Sequence, residues 1–316
     1  MKKNIRHLVT GGAGFIGSAI VKKLLERGDE VFVIDNLSTG RVKNIEEFKD
    51  NKKFKFFKAD IRDAKKMENI IKNVDYVFHE AAVTSVAGSF LSPIDFFQIN
   101  VIGTLNIIKA AKERKIKKIV FASSCSVYGQ NNKVLSEQML PSPISPYALT
   151  KYVGESIFQI FSKSYGVPAV CLRYFNVFGP KQDIYSEYSA VVPKFVSVIL
   201  SGSRPNVFGD GKQTRDFVYV DDVARANIKA AFSKYKNGEV FNVASGRSIN
   251  LLKLTEIINK AVSQKIKPVF QKTKPGNVRH SRADISKIEK FLAFIPETGI
   301  DEGLANTIEW IKHEIY

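Results

Sequence analysis

Tyr147 and Lys151 are the two residues whose types and spacing most directly suggest chemistry. Pro143 and Pro146, just before them, predict that a helix begins here, and a four-residue spacing on a helix places both side chains on one face. A tyrosine with an unperturbed pKa of about 10 is a poor base at neutral pH, but a neighbouring lysine cation favours the phenolate and lowers that pKa. Because this pair usually marks a helix surface, it needs support from a third group.

That third group is Ser124, which ends an apolar run at 117–124 that is typical of a buried strand. At a strand end, its hydroxyl can hydrogen-bond the same substrate hydroxyl that Tyr147 deprotonates. The predicted catalytic residues are therefore Ser124, Tyr147 and Lys151.

A glycine-rich run, Thr-Gly-Gly-Ala-Gly-Phe-Ile-Gly at 10–17, follows the first predicted strand and opens the first predicted helix. Gly12, Gly14 and Gly17 fit the dinucleotide fingerprint, and Gly11 adds a further turn residue. Glycines let the backbone approach a pyrophosphate, to which the helix N-terminus offers amide donors and a positive dipole. A lone fingerprint is weak evidence, but the strand–turn–helix context favours cofactor binding over a structural turn.

Asp35 ends the second predicted strand, about 20 residues after the glycines. Its carboxylate can bind a ribose 2′-hydroxyl and would repel a 2′-phosphate, which favours NAD, although Arg41 and Lys43 leave NADP open. Asp60 and Ile61 end the third strand and can flank an adenine; for Asp60 a helix N-cap is an equally good interpretation. The predicted cofactor-binding residues are Gly11, Gly12, Gly14, Phe15, Ile16, Gly17, Asp35, Asn36, Asp60, Ile61, Ala81, Ala82, Tyr147 and Lys151.

Short apolar runs alternate with helix-like stretches through the first half of the chain, as in βαβ units with a parallel sheet. The predicted strands are 7–10, 30–36, 54–60, 75–82 and 117–124, and the predicted helices are 15–27, 64–72 and 93–114. Right-handed crossovers place helices on both faces. The predicted fold is an α/β, Rossmann-type doubly wound parallel sheet.

The pattern loosens after Tyr165. A strand at 169–177 precedes a Pro/Gly/Ser-bearing stretch at 179–211, a helix near 221–234 and a strand at 239–244. We therefore predict an NAD-binding domain at 1–178, with returning segments at about 217–245. The remainder, 179–316, is mainly a smaller substrate-binding domain at the carboxyl ends of the strands, where ligands bind in open α/β sheets.

Composition narrows the class of partner. The 316 residues are 44% apolar, and the net charge of +17 comes from scattered lysines, which favours a solvated surface over a nucleic-acid partner. The first predicted strand starts almost at Met1, so no signal peptide is expected, and no apolar run approaches the ~20 residues of a membrane span. Cys125 and Cys171 lie in apolar runs, so reduced thiols and a cytoplasmic location are expected. No metal site is predicted.

The chain resembles the extended short-chain dehydrogenase/reductase superfamily, and within it most closely the UDP-glucose/UDP-galactose and UDP-N-acetylglucosamine 4-epimerases. The motifs that carry the resemblance occur in order along nearly the whole chain. They are the glycine run at 10–17, His-Glu-Ala-Ala at 79–82, Ser-Ser-Cys-Ser-Val-Tyr-Gly at 123–129, Tyr-Ala-Leu-Thr-Lys at 147–151, Arg-Tyr-Phe-Asn-Val-Phe-Gly-Pro at 173–180 and Gly-Asp-Gly-Lys-Gln-Thr-Arg-Asp-Phe at 209–217.

The resemblance implies a role for each member of the catalytic set. Tyr147 is the base, Lys151 holds the nicotinamide ribose and tunes Tyr147, and Ser124 positions the sugar hydroxyl. A homodimer built from the helices near 93–114 and 147–166 is also implied.

The resemblance further implies substrate contacts. Asn176 is expected to contact the UDP-sugar, and Arg215 and Arg279 to grip its diphosphate, because a guanidinium donates bidentately to phosphate oxygens. A surface ion pair is the alternative for each arginine. Asn100 is a candidate support for the site, and Asn106 is predicted to lie on the surface.

The implied reaction is 4-epimerisation through a transient 4-keto sugar with bound NAD. Related dehydratases carry an Asp-Glu pair, and decarboxylases a glutamate, where this chain has Cys125 and Ser126; the absence of a carboxylate favours the epimerase. A 4-dehydrogenase, a UDP-glucuronate epimerase and a non-catalytic NAD-binding protein remain alternatives. In the resembled family, the position of Ser281 gates the C2 group of the sugar, and a small residue there admits an N-acetyl group.

Overall fold

Seven parallel strands form the central sheet of this chain, whose computed structural model describes residues 5–185, 190–272 and 279–315. The inner strands are buried on both faces, which is why their sequences are continuous apolar runs rather than alternating ones. Two smaller sheets complete the set of strands. In chain order the strands are β1 (Arg6–Thr10), β2 (Glu30–Asp35), β3 (Phe54–Lys58), β4 (Tyr76–His79), β5 (Lys118–Ser124), β6 (Ala169–Tyr174), β7 (Asn176–Phe178), β8 (Asn206–Phe208), β9 (Thr214–Tyr219), β10 (Asn237–Val243), β11 (Ser248–Asn250) and β12 (Val269–Gln271).

Helices connect these strands and cover both faces of the central sheet. In chain order they are α1 (Phe15–Glu26), α2 (Ala64–Ile71), α3 (Val86–Leu91), α4 (Pro93–Phe97), α5 (Gly103–Arg114), α6 (Pro146–Tyr165), α7 (Val191–Leu200), α8 (Val220–Ala231), α9 (Leu251–Ala261), α10 (Ser286–Leu292) and α11 (Ile300–Ile315). None of the helices within the described ranges is both long and apolar enough to cross a membrane.

The strand order of the central sheet is β10-β6-β5-β4-β1-β2-β3. One apolar layer includes Met67 of α2, Ile107 of α5 and Phe158 of α6, and the other includes Ile20 of α1 and Val223 of α8. The order reverses between β1 and β4, so the carboxyl ends of these two strands flank the crevice where ligands bind in such sheets. The predicted α/β doubly wound fold is confirmed.

Several predicted boundaries differ from the structure. The predicted strand 75–82 ends at His79. The predicted strand 169–177 is two strands, because the chain leaves the central sheet after Tyr174 and β7 joins a second sheet of order β11-β9-β7. The predicted helix 93–114 is interrupted by a π-helical turn, Gln98–Ile102, a feature that often occurs at functional sites.

The later part of the chain builds its own apolar cluster from α7, α9 and α11, packed on β7 and β9. Its members include Phe195, Leu254 and Ile308. The stretch 179–211 contains α7 and β8 as well as loops, so it is more regular than its Pro/Gly/Ser content indicated. The division into domains at residue 178 stays a prediction.

Candidate active site and dinucleotide cradle

The glycine-rich turn joins β1 to α1 by close backbone packing. Gly11 has a φ of +67°, a left-handed conformation that favours glycine, and its amide donates to the Ile34 carbonyl at 2.7 Å. At Gly17, a Cβ atom would lie 2.2 Å from the Gly11 carbonyl oxygen. Only a residue without a side chain allows α1 to begin so close to the turn.

The N-terminus of α1 is suited to bind an anion. Gly14 is the N-cap residue, with no side chain to cap the helix, and no acidic residue lies in the first turn. The first amides of the helix, at Phe15 and Ile16, belong to half-buried residues. A Cβ at Gly14 would fill space beside this cradle and meet only the Gly11 carbonyl. Backbone donors and the helix dipole therefore fit the pyrophosphate of a dinucleotide.

Asp35 ends β2 beside this turn, as predicted. Its two carboxylate oxygens accept hydrogen bonds from the amides of Ala13 at 3.0 Å and Leu37 at 2.8 Å. A Cβ at Gly40 would lie 2.6 Å from the carboxylate, so the following loop closes tightly over it. Burial raises the pKa of Asp35. The same oxygens have further lone pairs with which to accept a ribose hydroxyl.

Asp60 is not the N-cap of α2, which was one interpretation of it. Asp63 caps that helix by accepting the Lys66 amide. Asp60 instead accepts two hydrogen bonds from the Arg62 guanidinium and one from the Asn36 side chain at 2.9 Å. The hydrogen bond from Arg62 is the largest cause of its lowered pKa. The predicted pair Asn36 and Asp60 thus forms one polar cluster at the ends of β2 and β3.

The loop after β4 carries Ala81 and Ala82 to the edge of the glycine turn. The Ala81 amide donates to Thr10 Oγ1 at 3.2 Å, and a Cβ at Gly11 would lie 2.8 Å from the Ala81 backbone. Ala82 follows directly and is half-buried. Both predicted residues therefore lie beside the cradle.

Asn100, in the π-helical turn, supports the site as the sequence suggested. It bonds both backbone groups of Val83, at 2.9 and 3.0 Å, and donates to Thr150 Oγ1 at 3.0 Å. It thus ties the loop after β4 to α6. The prediction that Asn106 is a surface residue is wrong: it is half-buried and donates to the Ile61 carbonyl at 3.1 Å, because it anchors the loop after β3.

Helix α6 begins where the prolines indicated. Ser145 is the N-cap and accepts the Ala148 amide at 3.1 Å, and Pro146 occupies the first turn. Tyr147 and Lys151 are both buried one turn apart, facing the end of β5. The predicted pairing on one helix face is confirmed, and the pair does not lie on the surface.

Tyr147 has a neutral phenol at physiological pH. Burial raises its pKa to about 12, and a hydrogen bond with the side chain of Ser124 acts in the opposite direction. Ser124 Oγ also accepts the Ser126 amide at 3.2 Å, which fixes that hydroxyl at the strand end. The three predicted residues Ser124, Tyr147 and Lys151 come together at the carboxyl edge of the sheet.

The Lys151 ammonium donates to the Ala122 carbonyl at 2.8 Å. Burial lowers its pKa to about 8, and the charge of Glu80 opposes this shift. The pKa of Tyr147 is therefore raised, not lowered as the sequence predicted, because burial is the largest effect on it.

The two predicted arginines differ in their surroundings. Arg215 is half-buried, donates to the Thr214 carbonyl at 2.8 Å and acts electrostatically on Cys125, the residue after Ser124. Arg279 is exposed and forms an ion pair with Asp210 at 2.8 Å. A surface ion pair was the alternative to diphosphate binding in the sequence analysis. Part of its motif, 276–278, lies outside the described residues.

Asp216 is a site residue that the sequence reasoning missed. It is fully buried and accepts the amides of Ser245 at 2.8 Å and Ala283 at 3.1 Å, while its carbonyl accepts the Asn176 amide at 3.0 Å. Asp216 therefore fixes the segment that carries Ser281 against β9. The sequence signal that could have indicated Asp216 is its position directly after Arg215 in the motif at 209–217.

Ser281 is also buried, and its hydroxyl has no hydrogen-bond partner within the described part of the chain. Cys125 is a half-buried free thiol whose pKa burial raises to about 12. Ser126 likewise has a buried hydroxyl without a partner among the described residues. Cys171 is buried and free as well.

The fold and the site together define the class. This chain belongs to the NAD dependent epimerase/dehydratase family, whose model matches residues 7–244. The resemblance to the extended short-chain dehydrogenase/reductase superfamily is confirmed, and NAD is the cofactor of this family.

Individual relatives match over almost the whole chain. A UDP-glucose 4-epimerase of Mycolicibacterium smegmatis is 36% identical over 98% of this chain and 99% of its own. A UDP-N-acetylglucosamine 4-epimerase of Methanobrevibacter ruminantium, solved in complex with UDP-N-acetylmuramic acid, is 42% identical with a TM-score of 0.95, covering 99% of this chain and 100% of that one. The UDP-glucose 4-epimerase of Thermotoga maritima, solved with UDP-glucose, is 39% identical with a TM-score of 0.93 and the same coverage.

Proposed function

We propose that this protein interconverts UDP-sugars that differ in configuration at C4, namely UDP-glucose with UDP-galactose and also UDP-N-acetylglucosamine with UDP-N-acetylgalactosamine. The observation that carries the proposal is the convergence of Ser124, Tyr147 and Lys151 beside the dinucleotide cradle. The names of the relatives support the same substrate class.

In this mechanism, Tyr147 takes the proton of the sugar 4-hydroxyl and Ser124 hydrogen-bonds the same oxygen. The hydride chemistry at C4 is supplied by bound NAD. The raised pKa of Tyr147 means that its phenolate needs a nearby positive charge, and Lys151 lies on the same helix face. Tyr147 returns the proton after the 4-keto sugar has turned over.

The cofactor contacts belong to the same proposal. The amides at the start of α1, including those of Phe15 and Ile16, bind the pyrophosphate, and Asp35 binds the adenosine ribose. Asn36, Asp60 and Ile61 flank the adenine. Ala81 and Ala82 line the path toward the nicotinamide, whose ribose Lys151 holds.

The substrate contacts hold the diphosphate while the sugar moves. Arg215 and Arg279 bind the diphosphate, and for Arg279 this requires release of the exposed ion pair with Asp210, which costs little. Asn176 contacts the sugar or its phosphate, and Ser281 borders the C2 substituent. The 1–178 region binds NAD, and the 179–316 region binds mainly the UDP-sugar.

Other reactions of the family are disfavoured by specific residues. Dehydration and decarboxylation need a proton-shuttling carboxylate where Cys125 and Ser126 stand, and the neutral thiol of Cys125 does not replace it. A 4-dehydrogenase and a UDP-glucuronate 4-epimerase use the same central residues and are separated only by experiment. A non-catalytic protein has no need of both Tyr147 and Lys151.

A homodimer in the cytoplasm is part of the proposal. Apolar side chains are exposed on the two helical regions expected at the interface, namely Ile94, Ile102, Leu149 and Ile160. Exposed apolar side chains of this kind favour self-association. Sedimentation equilibrium would test it, and a monomer at micromolar concentration would contradict it.

The direct test is to incubate the purified protein separately with UDP-glucose, UDP-N-acetylglucosamine and UDP-glucuronate, and to resolve the C4 epimers by NMR. We expect the 4-epimers of the first two sugars without net formation of NADH. Stable NADH formation would identify a dehydrogenase, and turnover of UDP-glucuronate alone would identify a uronate epimerase.

A further inference from the structure

Glu80 acts electrostatically on Lys151 but has no part in the mechanism above. It follows β4 directly, and the sheet register pairs the preceding residue, His79, with Phe121, the residue before Ala122 of β5. The Ala122 carbonyl is the acceptor of the Lys151 ammonium at 2.8 Å. Glu80 and Lys151 therefore approach the same strand end, one from the neighbouring strand and the other from α6.

Two further residues fix the orientation of this carboxylate. Asn227 of α8 donates one amide proton to the Val223 carbonyl at 2.9 Å and the other to the Tyr174 hydroxyl oxygen at 2.8 Å. The Tyr174 hydroxyl lies 2.9 Å from Glu80 Oε1 and 3.0 Å from Asn227 Oδ1, and its one proton can be donated to either acceptor. Tyr174 and Asn227 are both buried, so Glu80 contacts a hydrogen-bonded cluster in the protein interior.

The charges around Lys151 are few. Burial lowers the pKa of Lys151 to about 8, and Glu80 is the charged group that opposes this shift. Burial raises the pKa of Glu80 to about 7, against the hydrogen bond from Tyr174 and the charge of Lys151. The other titratable groups that face the pair are neutral near pH 7: burial lowers the pKa of His79 to about 3 and raises those of Tyr147 and Tyr174.

We propose that Glu80, oriented by Tyr174, is the counter-charge of Lys151 and thereby a positioning residue for the catalytic pair. A buried ammonium loses its hydration and stays protonated only where an opposite charge compensates for the loss. Without that compensation Lys151 becomes a neutral amine at a lower pH, and a neutral amine does not stabilise a phenolate at Tyr147. The catalytic consequence rests on the proposed function, whereas the charge relationship does not depend on any substrate.

The test is a titration of Lys151 in the purified holoprotein by NMR of ¹³C-labelled lysine side chains. Lys151→Arg identifies its signal. In Glu80→Gln, which keeps an oxygen for the Tyr174 hydrogen bond, the Lys151 midpoint should fall by about one pH unit, as loss of a close opposite charge requires. The alkaline limb of the kcat profile should move in the same direction. Lys118, whose pKa burial lowers to about 8, should keep its midpoint and is an internal control.

Two variants make the test specific. Glu80→Asp retains the charge and should keep the midpoint close to that of the wild type. Glu137→Gln removes another half-buried carboxylate with a raised pKa, one that accepts the Asn242 amide, and should leave Lys151 unchanged. If Glu80→Gln does not fold, Tyr174→Phe is the alternative, because it removes the hydrogen bond that lowers the pKa of Glu80. Glu80 then carries less charge at a given pH, so the Lys151 midpoint should fall by a smaller amount.

The outcomes separate this inference from the proposed function. An unchanged Lys151 midpoint in Glu80→Gln, or an equal fall in Glu137→Gln, overturns the inference whatever the activity. A shifted midpoint in a protein that epimerises no UDP-sugar leaves the inference standing and overturns the proposed function instead.

Discussion

The side-chain hydroxyl of Ser124, at the end of β5, hydrogen-bonds Tyr147 in the first turn of α6. This contact joins a strand end to a helix start that are more than twenty residues apart in the sequence. The hydrogen bond stabilises the phenolate, while burial favours the phenol. The balance between the two decides how readily Tyr147 acts as a base.

Replacing Tyr147 with Phe should remove the base and leave the fold intact, since the phenyl ring fills the same buried volume. We expect kcat to fall by about 10²–10⁴-fold or more, because loss of a general base has this effect and the hydride step depends on it. Activity, circular dichroism and NAD content should be measured together. Tyr165→Phe, at the exposed C-terminal end of the same helix, is the control. Near-normal turnover of Tyr147→Phe would exclude it as the base.

Cofactor preference depends on Asp35. Its buried carboxylate would repel a 2′-phosphate, so cofactor-free protein should bind NAD at least about tenfold more tightly than NADP. Fluorescence titration measures both affinities. Asp35→Asn should reduce the difference between the affinities for NAD and NADP. Asp50→Asn, which changes an exposed carboxylate, should leave that difference unchanged. Equal affinities in the wild type would mean that Asp35 does not face the ribose.

The product should have the same mass as the substrate. No carboxylate stands at Cys125 or Ser126, and the thiol of Cys125 stays protonated because burial raises its pKa to about 12. Mass spectrometry of the reaction should therefore detect neither loss of water nor loss of carbon dioxide. A stable product of either kind would show that another residue supplies the proton.

The sugar preference should depend on Ser281. This residue is buried and its hydroxyl lacks a hydrogen-bond partner among the described residues, so it is available to an amide of the sugar. Ser281→Tyr should lower kcat/KM for UDP-N-acetylglucosamine much more than for UDP-glucose. Steric exclusion can exceed the ~1–3 kcal/mol of one methylene contact, so the effect should be easy to measure.

Ser281→Ala is the matched control for that variant, because it removes the hydroxyl without filling the pocket. It should keep both activities within about tenfold of the wild type. If the wild type converts only unmodified hexoses, Ser281 is not the gate, or another group closes the pocket.

Asp216 predicts a specific dependence of stability on pH. Burial raises its pKa to about 6, so the folded state favours the protonated carboxyl. Its contribution to stability is therefore full below the unfolded pKa of about 3.9 and is lost as pH rises through about 6. Relative to Asp216→Asn, which does not titrate, the wild type should lose on the order of 1 kcal/mol between pH 5 and pH 8.

Urea unfolding of both proteins at the two pH values measures this difference. Asp95→Asn, at an exposed position of α4, should show no comparable dependence. A wild type that gains stability over Asp216→Asn as pH rises would contradict the direction of the shift. Because Asp216 holds the Ala283 amide, its Asn variant should also raise KM for the UDP-sugar.

The sequence by itself determined the parallel sheet, the dinucleotide turn and the start of α6. These features depend on local rules: continuous apolar runs form buried strands, glycines permit a close turn, and prolines with a serine cap begin a helix. Residues such as Gly11, Asp35 and Tyr147 could be selected because their spacing along the chain is itself the signal.

Only the tertiary structure decided which distant groups meet. Glu80, Tyr174 and Asn227 come from a strand end, a strand and a helix that are widely separated in sequence, and Asp216 joins β9 to the segment around Ala283. The break of the predicted strand after Tyr174 could not be predicted from the sequence either, because apolar residues continue on both sides of it. Burial and long-range contacts set the pKa values of such groups, and neither is a property of local sequence.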